Sequence, residues 1–485
     1  MSTAFFLWVF ITLLFTYILP AVVLYGISKK ADYPTWVSFV PVFNIIGWLD
    51  IIEKPRWWII FFLIPGIGYL FSVIVTVEML KCFGKFTFWQ HALAFIPFVN
   101  YIYLIYLGFS PNEKFYGPGY AAANHKRSTN REWADAILFA IVAATVIRSF
   151  FIEAYTIPTP SMEETLLVDD YLFVSKLNYG PRVPITPLSF PLAHNTMPVI
   201  GGKSYIEWPK IPYYRIPGWQ KIKNNDIVVF NWPAEELDRP IDKKDNYIKR
   251  CIAIPGDTLQ IIDRAVHLNG KPTPFPEFSQ FLYKLGMSGN SFLQRNELKE
   301  LGITKEEIWP MGTDPQTNLT IYPAYLTERA ANALKNNAAV KEIEPVIAPK
   351  GSFQNEIFHN YASLPWNVDN FGPLYVPKAG VTIPMTLKNY YLYQKAIRDY
   401  EGNSTLTLRD TIAYLNDQPL KEYTFKMDYY FMMGDNRHNS SDGRMWGFVP
   451  EDHIVGKPLL IWFSTDREGK GFGKIRWNRL FKPIN

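Results

Sequence analysis

Cysteine is nearly absent. Only Cys82 and Cys251 occur in 485 residues, so a disulfide framework and a cysteine zinc cluster are both excluded. An excess of one charge is also lacking: 49 basic against 44 acidic side chains leave +5. No Lys/Arg block of the kind that tracks a phosphate backbone appears, which argues against nucleic acid as a partner. The sharpest deficit is local. Through residue 110 the only charged side chains are Lys29, Lys30, Asp32, Asp50, Glu53, Lys54, Arg56, Glu78, Lys81 and Lys85. A mean hydropathy of -0.04 therefore averages an apolar front and a polar back. With 48% hydrophobic and 16% aromatic residues, disorder and coiled coil are poor explanations.

What the front does contain is long apolar runs. Residues 1–28 carry no charged side chain, and about 20 apolar residues cross a bilayer, so residues 1–30 are expected to form a transmembrane anchor. The basic start and short apolar core of a cleavable signal peptide are missing. Lys29 and Lys30 follow at once, a cytoplasmic signature by the positive-inside bias. Residues 31–110 hold three further apolar stretches, each interrupted by proline (Pro41, Pro65, Pro97) with Asn44, Gly68 or Asn100 three residues on. A proline there either kinks a span or turns the chain back. Three kinked spans and three re-entrant hairpins are both compatible with the pattern, and they demand opposite sides for the N-terminus. Residues 111–132 read as a basic cytoplasmic linker. Residues 133–152 read as a transmembrane helix that delivers everything from 153 to 485 to the outer side of the membrane.

Beyond residue 153, short β-branched runs alternate with Pro, Gly and Asn. Residues 226–230, 247–254, 258–262 and 429–433 read as strands, and Asn269-Gly270 as a tight hairpin turn. Such spacing predicts a mainly antiparallel β domain. Residues 184–219 read as an irregular Pro- and aromatic-rich loop, suited either to ordinary packing or to a membrane interface. Residues 271–370 read as a mixed α/β insertion, with helical stretches near 296–307 and 327–342.

Three segments carry chemistry: Ile157-Pro-Thr-Pro-Ser-Met-Glu-Glu-Thr-Leu166, Tyr247-Ile-Lys-Arg-Cys-Ile-Ala-Ile-Pro-Gly-Asp257, and Gly434-Asp-Asn-Arg-His-Asn-Ser-Ser-Asp-Gly-Arg-Met-Trp-Gly-Phe-Val-Pro450. In this order, beginning just past an apolar helix, they resemble the conserved boxes of the type I signal peptidases, membrane-bound Ser–Lys serine endopeptidases. The resemblance covers roughly residues 133–265 and 370–465. The large insertion and extra apolar segments look similar to the Bacteroidetes type. The implied fold is a membrane-anchored chain: an N-terminal α-helical membrane region, then a mainly antiparallel β catalytic domain of the signal-peptidase/LexA-like kind.

The resemblance implies Ser161 as nucleophile and Lys249 as its base. A serine hydroxyl needs such a partner. A lysine serves only when burial lowers its pKa from about 10.4; without the resemblance, Lys249 beside Arg250 would be read as a solvated edge charge. The oxyanion donors implied are the Ser161 N–H and the Thr159 hydroxyl. Pro160 leaves the Ser161 N–H in place and biases Thr159 towards an extended conformation. Ser440 matches the serine that aims the lysine amine, Asp442 and Arg444 a supporting ion pair, and Asp435 with Asn436 a structural turn. Three positions depart from the family pattern: Pro160, where Gly or another small residue is usual, Glu164 (expected to be an exposed, tolerated change) and Gly443. His438 reads as a surface residue.

The implied substrates are preprotein signal peptides with small residues before the cut, Ala-x-Ala-like. By position, Ile157, Met162, Leu166, Tyr247 and Ile248 are the candidates for its side-chain pockets. No metal or organic cofactor is implied; the lipid bilayer and the secretion machinery are the other partners expected, with the catalytic domain facing the periplasm or its equivalent. Two other readings compete: a catalytically silent membrane protein that binds signal sequences or envelope partners, and a LexA-like Ser–Lys autoprotease.

Overall fold

The computed structural model describes residues 17–484 other than 63–66, 97–98, 125–128, 192, 199, 289–292, 305–306, 360, 468 and 470. The chain divides into two units, residues 1–147 and 148–485.

The first unit is helical. Residues 1–16 of the expected anchor lie outside the described residues; the rest is the helix Leu19–Lys30. It crosses the helix Val99–Phe109 closely, because a Cβ on Gly108 would press on the backbone of Gly26 at 3.2–3.3 Å. Val23, Leu24, Ile27, Leu49, Met79, Leu80, Leu104 and Leu107 form its core. Each proline-interrupted stretch consists of shorter helical pieces, such as the 3-10 turn Thr35–Phe39 and the helix Phe43–Ile51 on either side of residues 40–42. Nine helical residues rise only about 14 Å. Among the described residues no helix is long and apolar enough to cross a membrane. Lys30 is not a free loop charge: its ammonium donates to the carbonyls of Leu107, Ser110 and Glu113 at 2.5–2.7 Å, closing the end of the helix Val99–Phe109. The helix over the expected second span runs Thr129–Phe150, and a strand begins at Ile152.

The second unit is mainly antiparallel β. Its strands begin Ile152–Thr156 (β1), Asp170–Ser175 (β2), Ile227–Asn231 (β3), Asn246–Ala253 (β4), Thr258–Ile262 (β5), Ala265–Leu268 (β6) and Lys271–Pro272 (β7). The largest sheet is ordered β1, β2, Ile454–Ser464, β3, β4, Tyr429–Met433, Val449–Pro450, with Lys482–Pro483 beside Ile454–Ser464. Strand alternation sorts the side chains: Ile227, Val229 and Ile248 enter one core with Met162 and Leu172, while Val228, Phe230, Tyr247 and Cys251 enter another with Met432 and Trp446. Both faces at β4 are therefore buried. At the Asn269-Gly270 turn, φ is +53° and +79°, as a tight hairpin between β6 and β7 requires.

The insertion leaves and rejoins one small sheet: after β7 the chain departs, and Phe371–Tyr375 (β12) returns to pair with β5. In between, Gln280–Ser288 (β8), Gly312–Thr313 (β9), Leu319–Thr327 (β10) and Val340–Pro345 (β11) make an antiparallel sheet of order β11, β8, β10, β9. Its helices, Arg295–Glu300 and Glu328–Leu334, are shorter than the periodicity predicts. Residues 340–342, expected to be helical, lie in β11 instead, where Val340 and Glu342 pair with Met287 and Gly286 of β8. Pro323 is tolerated inside β10 because its carbonyl accepts from the Trp309 N–H (3.3 Å), so its imide nitrogen faces away from β8.

Candidate active site

Ser161 stands one turn past β1. Pro160 opens the short 3-10 turn Pro160–Met162, as suits a residue with fixed φ and no N–H to lose. Thr159 precedes it in extended conformation (φ -131°, ψ 153°), as the following proline favours. As second residue of the turn, Ser161 keeps an N–H that the turn does not use. Its carbonyl accepts from the Asn436 N–H (3.1 Å), which ties the first box to the third.

Lys249 lies in β4 where the strand passes from an edge to a position paired on both sides. β3 flanks β4 on one side, with Lys249 opposite Val228, and Tyr429–Met433 flanks residues 250–253 on the other. Lys249 is only 3% exposed, so the solvated edge charge that the bare sequence suggests is not what forms. Its Nζ and the Ser161 Oγ are hydrogen bonded at 2.6 Å, and Nζ also donates to the Ile248 carbonyl at 3.1 Å. Burial lowers its pKa from 10.5 to about 8, against the pull of the Asp442 and Asp435 carboxylates, which raise it. The amine is thus held where losing its proton near neutrality is a modest cost. The Thr159 hydroxyl lies 3.5 Å from the Ser161 Oγ.

The third box is a buried charge lattice. Asp435, 0% exposed, accepts two bonds from the Arg250 guanidinium (2.8 and 2.7 Å) and one from the Thr165 hydroxyl (2.6 Å). Asp442 accepts from Arg444 Nε and Nη2 (2.9 and 2.8 Å) and from the Gly434 N–H (3.0 Å). Burial alone would raise both carboxyls, but the guanidiniums hold them below their ordinary value. Gly434 is required by crowding: a Cβ there would overlap Ser440 Oγ and the Ser161 carbonyl.

Several expectations need correction. Ser440 is buried, but its Oγ has no hydrogen-bond partner, and the expected bond to Lys249 is not made; the amine is engaged by Ser161 and the Ile248 carbonyl instead. Met162 and Leu166 are 0% exposed and Ile157 3%, all in one core. They are packing residues, and only the half-buried Ile248 and Tyr247 of the pocket set keep surface. Tyr247 lies on the face opposite Ile248, stacked on Trp232 at 5.0 Å, and its ring centroid is 5.5 Å from the Lys249 Nζ. His438 is no surface residue: Nε2 contacts Asp369 at 3.0 Å, and Nδ1 accepts the Leu282 N–H of β8 at 3.1 Å. Glu164 is half-buried with φ +66° rather than exposed.

Other residues here carry no motif signal. Gln280 of β8 pairs with the third box, its N–H donating to the Asp435 carbonyl and its own carbonyl accepting the Arg437 N–H (2.9 and 2.8 Å). Its side-chain amide donates to Glu307 (2.7 Å). Glu163 and Glu164 face that same Glu307, and burial followed by this repulsion raises their pKa values to about 8 and about 7. Among the described residues no His/Cys/Asp/Glu group could hold a metal ion.

Comparison with known proteins gives this arrangement a family. Residues 130–317 and 379–463 match the family described as signal peptidase, peptidase S26, and residues 36–118 match a family of unknown function. The chain is 30% identical over 356 residues to a signal peptidase I of Rickettsia felis, covering 73% of this chain and 84% of the relative. It is 27% identical to the signal peptidase I of Buchnera aphidicola from Schizaphis graminum (67% and 72%), and 24% to one of Helicobacter pylori (71% and 89%). With more than half of its length matched, the chain belongs to the S26 family of signal peptidases.

Proposed function

We propose that this protein is a serine endopeptidase that cleaves signal peptides from preproteins after small residues, with Ser161 as nucleophile and Lys249 as general base. The observation that carries the reading is the 2.6 Å hydrogen bond between a hydroxyl and an amine only 3% exposed, its pKa lowered to about 8. The neutral amine accepts the Ser161 proton as Oγ attacks the carbonyl carbon before the scissile bond. The oxyanion that forms takes hydrogen bonds from the Ser161 N–H and, after a small rotation, from the Thr159 hydroxyl. The ammonium of Lys249 then returns its proton to the leaving amine nitrogen, leaving an ester on Ser161. Lys249 next takes a proton from water as its oxygen attacks the ester, and returns that proton to the Ser161 Oγ as the bond from Oγ to the acyl carbon breaks, which releases the acid and restores the hydroxyl and the neutral amine. Ser440 is read as swinging onto Nζ during this cycle, and the Arg250–Asp435 and Arg444–Asp442 pairs as positioning residues.

Substrate would bind extended. Residues 246–249 of β4 pair with β3 on one side and, among the described residues, with no strand on the other. A peptide can add there through its main chain, with side-chain pockets selecting small residues. We read residues 1–30 and 133–152 as membrane anchors and the catalytic unit as extracytoplasmic. The exposed Trp208 and Trp219 of the 184–219 loop suit an interface with lipid. An Ala-x-Ala peptide with a fluorogenic cut site tests the chemistry: Ser161→Ala and Lys249→Met should each abolish cleavage, and retained cleavage in either rejects the dyad. A reporter fused after Ile152 should read out as extracytoplasmic; a cytoplasmic signal rejects the topology.

A further inference from the structure

The insertion reaches the nucleophile from two directions. At the start of β8, Gln280 bridges to Asn436 of the third box, its main chain bonded to Asp435 and Arg437 on either side. Asn436 is buried and holds the chain before the turn: its N–H donates to the Ser161 carbonyl (3.1 Å) and its side-chain amide to the Pro160 carbonyl (3.3 Å). Beyond Ser161, Glu164 lies against Gly302. A Cβ on that glycine would overlap the Glu164 Oε1 and stand 2.7 Å from the carboxyl carbon. Gly302 closes the helix Arg295–Glu300: its φ is +75°, and the Ile303 N–H turns back to the Leu298 carbonyl at 2.8 Å.

Both contacts belong to one packed piece. Ile303 is buried in a core with Phe281 and Leu285 of β8. Glu307 ties the same two segments, accepting from the Gln280 side-chain amide and from the Thr304 N–H, each at 2.7 Å. A close-packed core passes a displacement on rather than absorbing it. We propose that Glu164 is a positioning residue through which the insertion places the nucleophile: seated on Gly302, it fixes the downstream end of the turn Pro160–Met162, whose upstream end β8 fixes through Asn436. The inference rests on the Ser–Lys reading above. In that reading the peptide is bound along β4, whereas the turn sets where Oγ stands relative to the amine. A misplacement of about 1 Å costs on the order of a hundredfold in rate, so disturbing the seat acts on kcat and spares KM.

The test is steady-state cleavage of the fluorogenic Ala-x-Ala peptide by the full chain in detergent, with Ser161→Ala measured beside each variant. Gly302→Ala should lower kcat at least tenfold, with KM within twofold of the parent. That substitution also strains a backbone at positive φ, so it is repeated in a Glu164→Ala background. There the strain persists but the overlap is gone, and Gly302→Ala should change kcat by less than twofold. Glu164→Ala alone leaves Gly302 and the helix end intact, and it decides the matter if Gly302→Ala does not fold: kcat should fall at least threefold, with KM within twofold. Unchanged kcat in Glu164→Ala, an equal loss from Gly302→Ala in both backgrounds, or a loss carried by KM would each overturn the proposal, and with Ser161→Ala inactive the dyad would still stand. Cleavage by Ser161→Ala would overturn both.

Discussion

Replacing Asp435 by Asn removes one negative charge from a site with no solvent exposure. The introduced amide can accept one of the bonds that the carboxylate took from Arg250 and Thr165, at 2.6–2.8 Å, but it cannot balance the guanidinium, which is itself only 6% exposed. Stranding one partner of a buried pair costs about 3–5 kcal/mol, so guanidinium unfolding of the full chain, followed by tryptophan fluorescence, should register a loss of that order. Adding Arg250→Met to Asp435→Asn should restore part of it, with a coupling of about 2 kcal/mol or more in the double-mutant cycle. The same substitution acts on Lys249. Asp435 raises the lysine pKa, so its removal, with Arg250 left uncompensated, lowers that pKa further. The acid limb of the kcat/KM profile should move to lower pH even as the protein becomes less stable. A loss under about 1 kcal/mol, the range of solvated pairs, or an acid limb displaced to higher pH, would refute this account of the lattice.

Glu163→Gln should alter the pH dependence of stability. The native carboxyl is raised from 4.5 to about 8 by burial and Glu307, so the folded state binds the proton more tightly than the unfolded one. Its contribution to stability is therefore greatest at low pH and is lost as pH climbs from about 4.5 to 8. The variant should lose on the order of a few kcal/mol less than the parent between pH 5 and 8, as unfolding at the two pH values measures; parallel losses would contradict the burial. Ser440→Ala removes a hydroxyl that makes no hydrogen bond in the resting structure. Stability should change by less than about 1 kcal/mol, while kcat falls with KM little altered, as steady-state kinetics on the fluorogenic peptide would register; unchanged kcat would remove Ser440 from the mechanism.

Local chemistry was the legible part of the sequence. The β-branched runs became β3, β4 and β5, and Asn269-Gly270 became a turn, because those signals act over a few residues. The extended Thr159 followed from Pro160 alone. Burial of Lys249 was not readable from its own strand, where Arg250 next to it suggests solvent. It depends on β3 and on Tyr429–Met433, the latter about 180 residues away. The insertion departs from its sequence pattern in part for the same reason. In β10 a proline interrupts the strand pattern, and its place is secured by a partner on β8 and by the Trp309 N–H. His438 looked like a surface residue because Asp369 and the Leu282 N–H, which occupy its two nitrogens, lie 69 and 156 residues off. The apolar front gives length and hydropathy but not helix limits: around Pro41, for example, the run is divided into Thr35–Phe39 and Phe43–Ile51.

The pH dependence of kcat/KM on a signal-peptide substrate tests the central claim most directly. A neutral Lys249 as base predicts activity rising through an apparent pKa of about 8 and level above it. A limb that rises only near the ordinary lysine value of 10.5, or activity flat from pH 6 to 9, would contradict it.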